Sequence, residues 1–109
     1  MLLHYKAGDY NCLHQDLYGD VAFPLQVVFL LSEPERDYRG GEFILTEQIP
    51  RAQSAGRVLR PSQGDAVVIT TRWRPAEGKR GAYRVGVRHG VSEVTEGERW
   101  TLEYLNHEM

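Results

Sequence analysis

Two histidines and one aspartate stand at spacings that suit a metal site. His14 and Asp16 are two residues apart, and His89 follows far downstream. Successive side chains of a strand point to opposite faces, so His14 and Asp16 would project to one side and hold one ion together. Gln15 would point away from that ion. The three side chains form a candidate facial metal site if the fold brings His89 to the other two.

The chemistry of this ligand set depends on the positions that the metal keeps open. Three N/O ligands leave about three octahedral positions, which suits a bidentate oxo-acid and dioxygen, as in non-haem Fe(II) oxygenases. A closed structural zinc site would need a fourth ligand. Cys12 is the only cysteine. Regular pairing would put it on the face of His14, where we expect a small buried apolar residue rather than a ligand.

The second histidine lies in an alternating segment. One face of residues 83–91 carries Tyr83, Val85, Val87, His89 and Val91, and the other carries polar residues or glycines. This alternation predicts a half-buried strand whose inner face holds the histidine.

A cation that could anchor an acidic cosubstrate follows ten residues after His89. Arg99 has a guanidinium whose rigid fork of donors matches a carboxylate bidentately, and it stays charged at any working pH. Thr101 shares its strand face and could donate a hydroxyl to the same oxygens, although a plain strand residue is the simpler interpretation.

Composition is ordinary for a globular protein. At 109 residues, 41% hydrophobic and 26% charged, the chain predicts a single domain over residues 1–109. Its net charge of −2 shows no footprint for nucleic acid or an anionic membrane, so we expect neither partner. One cysteine excludes an internal disulfide, and no secretory signal or membrane-length apolar run is visible. These features favour a cytoplasmic location.

A hydrophobic period of two runs through almost the whole chain and predicts eight strands without an amphipathic helix. We expect them near residues 2–6, 10–15, 25–32, 41–47, 57–60, 65–71, 82–91 and 99–106. Turn-rich segments separate them at residues 32–40, 48–56, 61–64 and 74–81. Eight short antiparallel strands predict an all-β jelly roll of two sheets that enclose the site, with His89 across from the H-x-D pair. If the last two strands pair as a hairpin around Glu96, Arg99 lies a few residues along from His89.

Four segments of the chain resemble the prolyl-4-hydroxylase type of 2-oxoglutarate/Fe(II) oxygenase. They are residues 5–16, 40–43, 64–65 and 88–99. The resemblance covers almost the whole chain and implies a double-stranded β-helix core. It implies that His14, Asp16 and His89 hold iron and that Arg99 and Tyr5 bind the distal carboxylate of 2-oxoglutarate.

The resemblance also implies an activity. Oxidative decarboxylation of 2-oxoglutarate to succinate and carbon dioxide would be coupled to hydroxylation of a carbon in a peptidyl prolyl or related amino-acid substrate. The implied cofactors are Fe(II), 2-oxoglutarate and O2, with ascorbate as a candidate addition. A protein, peptide or amino acid would be the substrate, and residues 17–23 and 73–81 are candidates for the rim that faces it.

The chain departs from the family pattern at two points. Many animal prolyl hydroxylases have lysine at the position of Arg99, so that residue does not fix the substrate. Relatives usually carry helices before the first core strand, whereas here the core begins almost at Met1. Three explanations for the uncovered outer face of the larger sheet stay open. The chain is a truncated form, it forms a homodimer, or Arg84, Arg88 and Glu103 make that face polar enough to stand exposed.

Two other classes of protein stay open. A catalytically silent jelly-roll metal-binding module would keep the three ligands without needing Arg99 or Tyr5, so the presence of both argues against it. A nucleic-acid demethylase of the same superfamily would need the same iron site. The net charge shows no basic groove for it, but that value averages over local patches.

Overall fold

The computed structural model describes residues 1–15 and 25–105, and within them the chain forms ten strands and no helix. The first five strands are β1 (Leu2–Lys6), β2 (Asn11–His14), β3 (Leu25–Leu30), β4 (Tyr38–Gly40) and β5 (Phe43–Gln48). The last five are β6 (Ala55–Leu59), β7 (Ala66–Thr70), β8 (Trp73–Gly78), β9 (Gly81–Val91) and β10 (Val94–Leu105). These two ranges therefore also contain no helix that could span a membrane.

The strands form two antiparallel sheets of five strands each. The first sheet has the order β1-β10-β3-β7, with β4 also paired to β10. The second has the order β2-β9-β5-β6, with β8 also paired to β9. The prediction of an all-β jelly roll is therefore confirmed.

Two strands lie where the sequence predicted turns. β4 is only three residues long and ends at the Gly40-Gly41 turn, so it is too short for a visible alternation. β8 contains Pro75, a residue that argues against a strand because it cannot donate to a sheet ladder. β8 tolerates it because this strand pairs on one side only, with β9.

The hairpin considered around Glu96 does not form, because β9 and β10 belong to different sheets. The chain crosses between the sheets at Ser92 and Glu93, whose backbone groups bond to the β4–β5 turn: Ser92 N–H donates to Glu42 O at 2.9 Å and Gly41 N–H donates to Glu93 O at 3.0 Å. Glu96 pairs with Arg39 of β4 instead.

The core lies between the two sheets. One buried cluster contains Tyr5, Leu30, Tyr38, Val91 and Val94, and a second contains Val28, Phe43 and Ile69. On β9 the predicted alternation holds, since Val85, Val87 and His89 are buried while Arg84 and Arg88 are exposed. Removing these apolar side chains from water is the main term that holds the sheets together.

The outer face of the first sheet is apolar, contrary to the polar face that we considered. Its cross-strand rows are Leu2, Leu102, Phe29 and Ala66, and then Tyr104, Val27 and Val68. The three residues expected to make it polar lie elsewhere. Arg84 and Arg88 stand on the second sheet, and Glu103 shares the inner face with buried Gln26, whose amide donates to it at 3.4 Å.

Candidate active site

His14 and His89 are neighbours on the second sheet. Register places His14 directly opposite His89, and their ring centroids are 4.3 Å apart. His89 is only 3% exposed. We expected His89 across the site from His14 and Asp16, whereas His14 and His89 lie side by side on adjacent strands of one sheet. Asp16, the third predicted ligand, lies outside the described residues.

The ring of His14 has a defined orientation. Its Nδ1 lies 2.7 Å from the backbone oxygen of Cys12. A carbonyl oxygen only accepts hydrogen bonds, so Nδ1 carries the proton and the lone pair of the neutral ring sits on Nε2. Histidine ligands of metals are commonly fixed in this way by a backbone carbonyl. The ring is therefore prepared to bind a metal through Nε2.

Cys12 itself does not behave as predicted. Its side chain is exposed rather than buried. The β2–β9 register shifts between Asn11 and His14, and this irregularity breaks the alternation on which the prediction rested. Cys12 contributes its carbonyl to His14, while its thiol faces solvent.

A glycine allows β2 to approach β9 closely beside the two histidines. A Cβ added to Gly90 would lie 2.6 Å from the oxygen of Asn11 and 3.1 Å from the carbonyl carbon of Cys12. Only glycine fits at such a distance. On the other side of β9, the ring of Phe43 stacks on His89 with centroids 6.1 Å apart and planes 10° apart. His89 is thus held between β2 and β5.

Gln15 fixes the backbone directly after His14. Its amide donates to Arg72 O at 3.1 Å and to Val87 O at 3.2 Å. We expected Gln15 to point away from the ion, and its amide bonds to the backbone of Arg72 and Val87.

Arg99 lies on the inner face of the first sheet with only 2% of its surface exposed. It stands opposite Tyr5, and its guanidinium carbon is 5.4 Å from the Tyr5 ring and 5.8 Å from the Tyr38 ring. Within residues 1–15 and 25–105 it forms no ion pair with a carboxylate, and its Nε has no hydrogen-bond partner. Removing a partner charge from a buried cation costs several kcal/mol, so this position favours an anionic ligand.

Tyr38 is a residue of this site that sequence reasoning missed. Burial raises the pKa of its phenol, and the nearby Arg99 opposes the shift without overcoming it. The hydroxyl therefore stays protonated at neutral pH and can donate to an anion. Its only signal in the sequence was an aromatic residue shortly before the Gly40-Gly41 pair, inside a segment assigned to turns.

Tyr5 links the two halves of the site. Its ring packs beside Arg99, and its hydroxyl accepts a hydrogen bond from the Asn11 amide at 3.2 Å. Asn11 begins β2, the strand that ends at His14. The link therefore joins the first sheet, with its arginine, to the strand that carries a histidine.

A cavity of about 230 Å³ extends from Arg99 to Phe43, the residue that stacks on His89. Tyr38, Gly41 and Leu59 also line it. Thr101 is buried on the same face of β10 as Arg99. It is absent from this lining among the described residues, so its predicted contact with the cosubstrate stays a prediction.

The structure thus brings the described candidates together as two pairs, His14 with His89 and Tyr5 with Arg99. The pairs lie on different sheets that enclose one core. Phe43 connects them, since it contacts His89 and lines the cavity that Arg99 also lines.

Solved structures share this fold. An oxidoreductase of the 2OG-Fe(II) oxygenase family from Burkholderia pseudomallei matches with a TM-score of 0.67 and 22% identity, over 95% of this chain and 39% of that one. A prolyl-4-hydroxylase from Pseudomonas putida matches with a TM-score of 0.66 and 20% identity, over 100% of this chain and 51% of that one. At these identities the likeness establishes the jelly-roll fold of such oxygenases.

The family follows from the sequence match. A protein-family model described as "Oxygenase, catalysing oxidative methylation of damaged DNA" matches residues 1–109, and the chain belongs to this oxygenase family. Its jelly-roll fold is the one that the 2OG-Fe(II) oxygenase and the prolyl-4-hydroxylase above have. This agrees with the resemblance stated from the sequence.

Two curated relatives come from Mycobacterium tuberculosis, one from strain CDC 1551 / Oshkosh and one from strain H37Rv, and both are called uncharacterized proteins. Each is 51% identical over 108 residues, which are 99% of this chain and 46% of the relative. The chain therefore spans about half the length of the curated relatives that it matches.

Proposed function

We propose that this chain is the catalytic core of a 2-oxoglutarate/Fe(II)-dependent dioxygenase. His14, Asp16 and His89 hold the iron, and Arg99 binds the distal carboxylate of 2-oxoglutarate with Tyr5 beside it. The observation that carries the proposal is Arg99 itself, a buried guanidinium between two tyrosine rings without a carboxylate partner in the described residues.

The histidine pair fits the implied metal. Two neutral imidazoles suit Fe(II) when a carboxylate completes the set, and the Cys12 carbonyl holds His14 in the tautomer whose lone pair is on Nε2. When bound, the iron supplies the redox chemistry that couples decarboxylation of 2-oxoglutarate to hydroxylation of an unactivated carbon. The protein contributes orientation: Phe43 and Gly90 fix His89, and the Cys12 carbonyl fixes His14.

An anaerobic titration tests the proposal. Fe(II) and 2-oxoglutarate together should give the weak visible metal-to-ligand charge-transfer band of a chelated 2-oxo acid. Iron binding without this band would instead support the catalytically silent module. The single domain over residues 1–109, the homodimer, ascorbate and the cytoplasmic location stay predictions.

The substrate that we propose is nucleic acid, the class to which the family description refers. Residues 72–88 hold six of the 13 basic residues and one of the 15 acidic residues. That segment therefore carries +5 and the remainder −7, which give the net charge of −2. The expectation of no nucleic-acid partner rested on this net value, which conceals the charge separation. This run of basic residues over β8, β9 and the turn between them supports a polyanionic substrate.

An exposed aromatic residue stands within the basic segment. Trp73 is 41% exposed, and the guanidinium carbons of Arg72 and Arg84 lie 5.1 Å and 5.9 Å from its ring. Trp73 and Arg72 line a surface groove of about 570 Å³ together with Gln15 and Arg88, on the face of the second sheet opposite to that of His89. Aromatic rings with neighbouring cations are common platforms for single-stranded nucleic acid.

Hydroxylation of a peptidyl prolyl or related amino-acid residue is the alternative substrate proposal. Its support is the initial resemblance and the shared fold with the Pseudomonas putida enzyme. Substrate-stimulated decarboxylation of 2-oxoglutarate separates the two proposals. A methylated single-stranded oligodeoxynucleotide should stimulate succinate formation, whereas a proline-rich peptide should not; the reverse result would favour the alternative.

A further inference from the structure

A buried carboxylate holds two arginines on the inner face of the second sheet. Glu47 has a side chain only 9% exposed, and its Oε1 accepts from the Nε of Arg57 at 2.7 Å. Its other oxygen, Oε2, accepts from the Nε of Arg74. The two arginines come from opposite sides of β5 and β9: Arg57 from β6 and Arg74 from β8. We call these three side chains the Arg-Glu-Arg belt.

Strand register places the belt beside the histidine pair. His14, His89, Leu45 and Arg57 form one row across the sheet, each opposite the next. Arg57 therefore stands two strand spacings, or about 10 Å, from His89 on the same face.

The other two members of the belt lie further along the strands. Glu47 pairs with Val87 and Arg74 with Val85, two and four residues before His89 on β9. At about 3.3 Å per residue, Glu47 and Arg74 lie roughly 7 Å and 13 Å from the histidine row, toward the β8–β9 hairpin.

The belt carries a net positive charge. One carboxylate is shared between two guanidiniums, which leaves a surplus of +1. Arg57 is 62% and Arg74 44% exposed, so both present donors to solvent. Within the described residues Arg57 uses only its Nε, and its terminal nitrogens are left for a ligand. Such paired donors match the oxygens of a phosphate group.

We infer that the Arg-Glu-Arg belt is a phosphate-recognition subsite of the substrate path, with Glu47 as the residue that positions both guanidiniums. The inference rests on the proposed function, because the histidine pair is what makes this face a substrate path. In a nucleic-acid substrate, the belt contacts a backbone phosphate next to the nucleotide that reaches the iron. A structural brace between strands would need the same ion pairs but no surplus cation.

Binding of a fluorescently labelled oligodeoxythymidylate by the full chain tests the subsite. Arg57→Gln and Arg74→Gln should each weaken binding about tenfold or more, since each removes a charge-assisted contact. Each should also reduce the slope of log affinity against log salt by about 0.7, the value for one lost phosphate contact on a single strand. Arg39→Gln, an exposed arginine on the first sheet, is the matched control and should change neither quantity beyond its smaller long-range effect.

Glu47→Gln provides the sharper test, because it makes the chain more positive. Simple electrostatics predicts tighter binding of a polyanion, whereas loss of the positioning carboxylate predicts weaker binding. Tighter or unchanged binding would overturn the inference. Arg57→Lys should keep the salt slope but recover only part of the affinity, and it keeps the test valid if Glu47→Gln does not fold.

Two further measurements identify the source of the phosphate and separate the inference from the proposed function. Inorganic phosphate and thymidine monophosphate are tested as competitors of the oligonucleotide. Competition that depends on Arg57 supports the subsite. Strong binding of either competitor without oligonucleotide binding identifies a small phosphorylated substrate. The charge-transfer band with Fe(II) and 2-oxoglutarate should be unchanged in the belt variants. Loss of the band in the unaltered chain refutes the proposed function, whereas equal oligonucleotide binding by all variants refutes only the subsite.

Discussion

The chain holds arginines toward its interior in two contrasting ways. Arg99 is fully buried, walled by Tyr5 and Tyr38, and pairs with no carboxylate of the described residues. Arg57 and Arg74 are partly exposed and share Glu47. The first cation is desolvated and has no counter-charge among the residues that the structure describes. The second pair is already partly neutralised and still in contact with water.

This difference predicts two kinds of anion binding. A desolvated guanidinium in a small cavity favours one carboxylate of fixed geometry and is little screened by salt. Two hydrated guanidiniums on an open face favour a phosphate whose binding falls steeply with ionic strength. The cosubstrate site and the belt therefore differ in salt sensitivity as well as in position.

Removal of a predicted metal ligand should have the largest effect, because it removes the reaction that both anion sites serve. His89→Ala and Asp16→Ala should each abolish iron-dependent decarboxylation of 2-oxoglutarate while leaving the fold largely intact. Bound iron, succinate formation and circular dichroism measure this. Cys12→Ser is the control, since it keeps the carbonyl that bonds to His14 and replaces only an exposed thiol. Near-normal turnover with normal iron content in either alanine variant would show the metal assignment to be wrong.

Arg99→Ala should have the next largest effect and tests the buried half of the comparison. Its affinity for 2-oxoglutarate should fall about a hundredfold or more, because the ligand carboxylate loses its charged partner, while iron binding changes little. Arg99→Lys should recover part of the affinity, since a point charge remains without the fork. Titration of the charge-transfer band at low and high salt measures both properties. Unchanged affinity in Arg99→Ala would refute the role.

The two arginine sites also differ in how well the sequence predicted them. Arg99 was predicted from its spacing after His89 and its guanidinium chemistry, and the resemblance implied that Tyr5 binds the same carboxylate. The structure places these two residues opposite each other. The belt was not predicted, because Glu47 follows Phe43 and Leu45 on an inner face where alternation predicts an apolar residue. Its partner Arg74 lies on a strand hidden by Pro75.

Other features could not be predicted from the sequence, for related reasons. A local register shift exposes Cys12, and no composition or period reveals such a shift. The adjacency of His14 and His89 depends on which strands pair, which alternation within one strand does not specify. Net charge averages the +5 of residues 72–88 with the −7 of the remainder. Pattern within a strand was thus predictable, whereas pairing between strands was not.

Replacing the hydroxyls of Tyr5 and Tyr38 changes the site of Arg99 and leaves the Arg-Glu-Arg belt unaltered. Tyr5→Phe keeps the ring beside Arg99 and removes one hydrogen-bonding group. A hydrogen bond to a charged group contributes roughly 1.5 to 3 kcal/mol, so the 2-oxoglutarate requirement should rise about ten- to a hundredfold. Tyr38→Phe tests the phenol whose pKa burial raises and should have a smaller effect of the same sign. Normal affinity in Tyr5→Phe would leave Tyr5 as a packing residue only.

Acid stability should show the smallest effect and probes the belt without a ligand. Hydrogen bonds from Arg74 and Arg57 lower the pKa of Glu47 below its ordinary value of 4.5. The unfolded chain therefore binds this proton at a higher pH than the folded chain does, so the contribution is present above pH 4.5 and is lost as the pH falls through the folded pKa. Glu47→Gln lacks this contribution.

The free energy of unfolding in urea should therefore be lower in Glu47→Gln than in the unaltered chain at neutral pH. The difference between the two chains should shrink as the pH is lowered below 4.5, the ordinary pKa of glutamate. Exposed Glu77→Gln should show no such convergence. A gap between Glu47→Gln and the unaltered chain that stays constant with pH would mean that the belt's ion pairs do not stabilise the fold, leaving the two arginines positioned by their strands alone.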